Sequence, residues 1–120
     1  MNMRAGQVEI WHRPSCSHSR GALQLLREAG ITPVVVDYVA HPPSVARLRQ
    51  AIADAGLTVR EAIRSKEPEF AARELADPAL PDDALLEAMV AAPILINRPF
   101  VFTPKGVRLC RPPETVLELL

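Results

Sequence analysis

The stretch from residue 8 to residue 38 leaves few ways to fold. Val8-Glu9-Ile10-Trp11 alternates in a β-prone composition and breaks at Pro14, which predicts a short strand running into a loop. A helix follows: Ser17 and Ser19 offer capping hydroxyls, Ala22, Leu23, Leu26 and Ala29 recur at helical spacing, and Gly30 supplies a left-handed stop. Pro33-Val34-Val35-Val36-Asp37-Tyr38 is then a continuous β-branched run, which predicts a strand buried on both faces and paired with the first. Two parallel strands joined by a helix make a right-handed βαβ unit. The loop over residues 12–17 therefore lies at the carboxyl end of a strand, where ligands bind in such sheets.

The rest of the chain reads as helices, then strands, then a helix. Ser44 is an N-cap after Pro42-Pro43, and Val45, Leu48, Ala51, Ile52 and Ala55 line one side of a helix that Gly56 ends. Further helical pieces are predicted over 59–65, around 70–75 and over 82–90, separated by Pro78 and Pro81. Ile94-Leu95-Ile96 and Phe100-Val101-Phe102-Thr103 are strand-like, and Pro104-Lys105-Gly106 reads as a turn before a strand over 107–110. A terminal helix is predicted from Pro113 or Glu114 to Leu120. With 120 residues, 48% of them hydrophobic, the chain is expected to form one α/β domain, 1–120, with a helical insertion at about 44–91 between the second and third strands.

Charge narrows the functional classes. Fourteen Lys and Arg balance fourteen Asp and Glu, and a pI near 6.8 argues against a nucleic-acid binder held by phosphate neutralisation. No run approaches the roughly 18–20 apolar residues of a membrane span, and residues 1–9 are too short and polar for a secretory signal, so the expected location is the cytoplasm, with no membrane partner. A monomer is the default, since no coiled-coil seam is visible. The two cysteines, Cys16 and Cys110, are not expected to form a disulfide in a reducing compartment.

The chemistry concentrates in His12-Arg13-Pro14-Ser15-Cys16-Ser17-His18-Ser19-Arg20. This segment sets a cysteine at the start of a helix, where exposed backbone N–H groups favour a thiolate and nearby cations lower its pKa further. From Ile10 through Arg27 there is no acid, while Arg13, Arg20, Arg27, His12 and His18 are present. Cys16 is thus a candidate nucleophile.

A second acid-free stretch, 88–113, holds Arg98, Lys105, Arg108 and Arg111, because eleven of the fourteen acids lie between Glu28 and Glu87. Two such segments meeting in a sheet would make an anion pocket, with Lys105 and Arg108 read as solvated turn residues. Asn97-Arg98-Pro99 poses a choice between a cis and a trans edge proline that fold context must decide. Cys110 reads as packing and His18 as an exposed loop histidine.

The set His12-x-Pro14-x-Cys16-x-x-Ser19-Arg20, together with Val59-Arg60-Glu61-Ala62-Ile63-Arg64, Ile94-Leu95-Ile96-Asn97-Arg98-Pro99 and Arg108-Leu109-Cys110-Arg111-Pro112, resembles the glutathione/glutaredoxin-linked arsenate reductase family over nearly the whole chain. The resemblance implies a thioredoxin-like mixed sheet, β-α-β then β-β-α, with a cis Pro99 beside the cysteine. It makes Cys16 the nucleophile, His12 the histidine that helps keep the thiol ionised, and Arg64, Arg98 and Arg111 the substrate-binding arginines. Ser19, Arg20 and Pro99 are supporting matches. It further implies arsenate as substrate, glutathione as co-substrate and glutaredoxin as partner, with no bound cofactor and no metal. Arg13, Ser17 and His18 depart from the best-known members beside the nucleophile.

Two other readings compete. Spx-type regulators are similar in fold and bind RNA polymerase without catalysis, but many carry Cys-x-x-Cys where this chain has Ser19 in the fourth position. A thiol reductase acting on another oxyanion would keep the nucleophile and change the substrate.

Overall fold

The computed structural model describes residues 7–120; of the segment 1–9 considered above for targeting, residues 1–6 lie outside it. The chain divides into two compact units, one running to His41 and resuming at Arg98–Leu120, the other Pro42–Asn97.

Among the described residues the first unit is a four-stranded mixed sheet with one α-helix. Its strands are β1 (Glu9–His12), β2 (Val34–Asp37), β3 (Phe100–Thr103) and β4 (Gly106–Leu109), and α1 spans Ser17–Glu28. The strand order is β2-β1-β3-β4. β1 and β2 are parallel and the other two pairings antiparallel, so Ile10 lies between Val35 and Val101. This is the α/β sheet expected, with β1 and β2 joined through α1 and the helical segment inserted between β2 and β3. α1 ends as predicted, with Gly30 at φ +80° just beyond Glu28.

Strand alternation gives the sheet two unlike faces. Val8, Ile10 and Val101 point to one side, where they pack with Ala22, Leu23 and Leu26 of α1, with Cys110, and with Val116 and Leu119 of the C-terminal 3-10 helix Pro113–Leu119. On the other side the Trp11 ring stacks at a tilt on Phe100 and Phe102, with centroids 5.6 and 4.9 Å away.

The second unit is helical. α2 (Val45–Asp54) is capped by Ser44, whose hydroxyl accepts from Arg47 N at 3.1 Å, as predicted. α3 (Val59–Ala62) opens on a capping box between Thr58 and Glu61; α4 (Pro68–Ala72) and α5 (Asp82–Ala91) follow. Among the described residues no helix is long and apolar enough to cross a membrane.

Three expectations are corrected. β2 is an edge strand, with Val34 and Val35 each 43% exposed rather than buried on both faces. A β-branched run reads alike at an edge and in a centre, and here the central place beside β1 goes to β3 from far along the chain. Ile94-Leu95-Ile96 is not a strand: Pro93–Leu95 forms a 3-10 turn, and only Ile96 makes a bridge, to Ile63. Leu95 N and Ile96 N donate back to Ala92 O and Pro93 O, so local turn bonds replace a ladder. The terminal helix is of the tighter 3-10 type, opening on two prolines.

Leu26 is fully buried at the centre of the first unit's core. Leu26→Ala should cost about 2–5 kcal/mol of stability, read as a lower urea midpoint with an unchanged m-value. A loss under about 1 kcal/mol would show that α1 is not anchored on this face.

Candidate active site

The loop between β1 and α1 is built by its own backbone. Cys16 N donates to Arg13 O at 2.9 Å, closing a turn, and Arg20 N donates to Cys16 O at 3.0 Å, opening the helix. Cys16 thus occupies the N-cap of α1, in an extended conformation at φ −95°, ψ 123°. The sequence pattern assigned capping to Ser17 and Ser19; the structure corrects this, since no side chain closes the cap with a full hydrogen bond. The position is held by the cysteine instead, and Ser19 is used elsewhere.

Ser19 is fully buried, and its hydroxyl oxygen accepts from Arg13 N at 3.0 Å. It also lies 2.6 Å from Nδ1 of the buried His12 at the end of β1. This knot ties strand, loop and helix together around Cys16. Burial holds the His12 pKa below 6.5, with Arg27 and Arg20 acting in the same direction and Asp37 opposing them, so the imidazole is neutral near pH 7. Its connection to the cysteine loop runs through Ser19. Arg20 braces the outside of the loop, donating from Nη1 to Pro14 O at 2.9 Å.

The strands on the other side of the loop bring cations. Arg98 precedes β3, is buried to 7% exposure, and is joined to Pro99 by a cis peptide, as the resemblance implied. Arg111 follows β4, and its Nη1 donates both to Arg98 O at 2.9 Å and toward the Cys16 sulfur at 3.7 Å. A second cis bond, Arg111–Pro112, was not foreseen.

These groups decide the state of the thiol. Burial is the largest single influence on Cys16 and opposes ionisation. The backbone N–H of Ser19, the Arg98 guanidinium, the backbone N–H of His18 and the Arg111 guanidinium together outweigh it, and the pKa falls below the usual 9.0. His18 is therefore not an exposed loop residue: it sits half-buried in the first turn of α1, contributing its main chain. Cys110 is the opposite case, fully buried and pushed up to about 12 chiefly by that burial. Both cysteines are free.

Arg64 belongs to the second unit, where its Nε donates to Glu67 at 2.9 Å and its Nη1 to the Asn97 side chain at 3.3 Å. Within the first unit, Cys16, His12, Ser19, Arg98 and Arg111 come together, with Arg20 and Pro99 bordering them. Beside His12 opens a cavity of about 440 Å³, lined by His12, Pro14, Arg20, Leu23, Gln24 and Arg27 with no acid among them. Among the described residues no three His, Cys, Asp or Glu groups cluster to hold a metal. Lys105 and Arg108, read as solvated turn residues, are both exposed, but only Lys105 lies in the turn, bonding Leu120 O, while Arg108 stands within β4 and bonds Val107 O.

A half-buried thiol whose pKa is lowered by two guanidinium groups and helix N–H donors is equipped to attack an electrophilic oxyanion while its neighbours neutralise the charge. The sequence profile of the ArsC family matches residues 11–119, spanning all of these side chains. This chain belongs to the ArsC family. The arsenate reductase of Rhizobium meliloti (strain 1021) is 56% identical to this ArsC-family chain over 94% of its length and 81% of the relative's. That of Escherichia coli is 42% identical over 94% and 80%. The solved structure of the arsenate reductase from Vibrio cholerae superposes with a TM-score of 0.92 at 44% identity, covering 98% of this chain and 100% of that one.

The two thiols should separate in solution. In the native protein one cysteine, Cys16, is expected to react promptly with Ellman's reagent at pH 7, and the second, Cys110, only after unfolding. Two fast thiols in the native state would contradict the burial of Cys110.

Proposed function

We propose that the chain reduces arsenate to arsenite, with Cys16 as nucleophile and external thiols as reductant. The observation that carries this reading is the Cys16 sulfur at the N-cap of α1 with the Arg111 guanidinium 3.7 Å away, among the neighbours that lower its pKa. The names of the relatives supply the oxyanion.

The Cys16 thiolate attacks arsenic, a sulfur–arsenic bond forms, and an arsenic–oxygen bond breaks to release hydroxide, which leaves as water once protonated. Arg98 and Arg111 offset the charge of the oxyanion as it crowds the sulfur. The adduct is still at the As(V) level, and two electrons must come from thiols. Cys110 is a poor source, being buried and un-ionised at about 12. An external thiol, glutathione, then displaces a second hydroxide from arsenic, which leaves as water, and a glutaredoxin thiolate attacks the glutathione sulfur, forming a mixed disulfide as the bond between arsenic and that sulfur breaks. The two electrons of that broken bond reduce arsenic to As(III), and arsenite is hydrolysed from Cys16.

The acid-free cavity beside His12, with Arg20 and Arg27 on its wall, suits the carboxylates of such an anionic thiol. No bound cofactor is needed in this scheme. A reducing cytoplasm suits the two free cysteines, and the protein would work there as a monomer.

The test is arsenite formation from arsenate with glutathione, glutaredoxin and an NADPH-regenerating system. Cys16→Ser should abolish turnover, and Arg98→Ala should lower kcat/KM by about 10²–10³-fold, as for loss of one preorganised donor to a developing anion. Arg64→Ala reads separately whether the third arginine adds to oxyanion affinity. Wild-type rates in Cys16→Ser would sink the proposal.

A further inference from the structure

Gly21 is a glycine without a backbone reason. It lies in the interior of α1 and is absent from the residues with positive φ, so its conformation is open to any residue, and alanine is the better helix former there. What distinguishes the position is a neighbour. A Cβ placed on Gly21 would stand 2.9 Å from Pro113 Cγ and 3.1 Å from Pro113 Cβ. The first distance is below what carbon atoms sustain, and a pyrrolidine ring cannot swing aside as a long side chain can.

Pro113 is two residues beyond Arg111. On its other side that segment is fixed to the sheet, because Cys110 N donates to Pro99 O at 2.8 Å and Arg111 N to Leu109 O at 3.0 Å. Further along, Val116 and Leu119 are packed into the core against Ala22 and Leu26 of the same helix. The short span Arg111-Pro112-Pro113 is therefore clamped at both ends, and the Gly21–Pro113 contact sets how near it comes to α1.

We propose that Gly21 is a positioning residue for the oxyanion site: by carrying no side chain it lets Pro113 rest on α1, and so fixes the distance at which the Arg111 guanidinium stands from the Cys16 sulfur. A methyl group at position 21 pushes the two elements apart. Either the Arg111 segment retreats or α1 tilts with Cys16 on its end, and in both cases the 3.7 Å approach is lost. The part of this inference that concerns oxyanion affinity rests on the proposed reductase function; the part that concerns the thiol does not.

The experiment compares wild type with Gly21→Ala, Pro113→Ala and the double variant. Each is read by the pH midpoint of Cys16 alkylation with iodoacetamide, by KM and kcat for arsenate, and by circular dichroism for retention of fold. Gly21→Ala should raise the alkylation midpoint and raise KM about tenfold or more with a smaller effect on kcat, since misplacing a substrate-positioning group by ~1 Å costs up to about 10²-fold. Pro113→Ala removes the ring carbon at 2.9 Å and keeps only Cβ at 3.1 Å, so adding Gly21→Ala to it should cost far less than Gly21→Ala costs in wild type, a strongly non-additive pair. An unchanged midpoint in a folded Gly21→Ala would overturn the proposal, as would losses that simply add. If Gly21→Ala does not fold, Pro113→Ala and the double variant still decide: a double variant that folds with a midpoint and KM near those of Pro113→Ala supports the contact, and one that fails to fold as Gly21→Ala does refutes it. Absence of arsenate turnover with the midpoint shift intact would reject the reductase reading and leave the positioning role standing.

Discussion

Stabilising a thiolate in a half-buried place is the constraint around which the first unit is arranged. Burial acts on Cys16 more strongly than any single neighbour and acts against charge. It is overcome only by a sum: two backbone N–H groups of the first helical turn and two guanidinium groups. Each donor comes from a different constraint on the chain. The N–H groups exist because α1 begins at Ser17, and the arginines arrive because β3 and β4 run antiparallel and leave Arg98 and Arg111 at the same end of the sheet.

The loop that holds the cysteine is stiffened by bonds that never touch it. Ser19 is spent on Arg13 N and His12 Nδ1 rather than on capping, which locks the loop between the last residue of β1 and the first turn of α1. A neutral His12 suits that task, since a buried imidazolium would be repelled by Arg27 and Arg20. Arg111 spends one N–H group on Arg98 O as well as on the sulfur, so the two arginines are placed by each other.

The βαβ start, the cysteine at the opening of α1 and the acid-free cationic segments were legible in the sequence because each is a local pattern: β-branched runs, a cysteine before helical spacing, arginines without carboxylates. The edge position of β2 was not, because strand order is decided by where residue 100 and beyond return. The 3-10 turn at Pro93–Leu95 escaped because Ile94-Leu95-Ile96 has strand composition, while Pro93 and the local bonds to Ala92 and Pro93 impose a turn. Ser19 was expected as a cap and His18 as an exposed residue; both roles depend on Cys16 itself taking the N-cap, which composition does not reveal. Gly21 carries no signal of its own in the sequence, since its meaning lies in Pro113, far along the chain.

The most direct test is the thiolate absorbance of Cys16 near 240 nm, followed against pH in the native Cys110→Ala protein. A depressed folded-state pKa means that the thiolate persists as pH falls below the ordinary thiol value of 9.0 and protonates only at its lower native midpoint. The account predicts that lower midpoint, moving upward when Arg98 or Arg111 is replaced by alanine. A midpoint at or above 9.0, or one indifferent to both arginines, would contradict it.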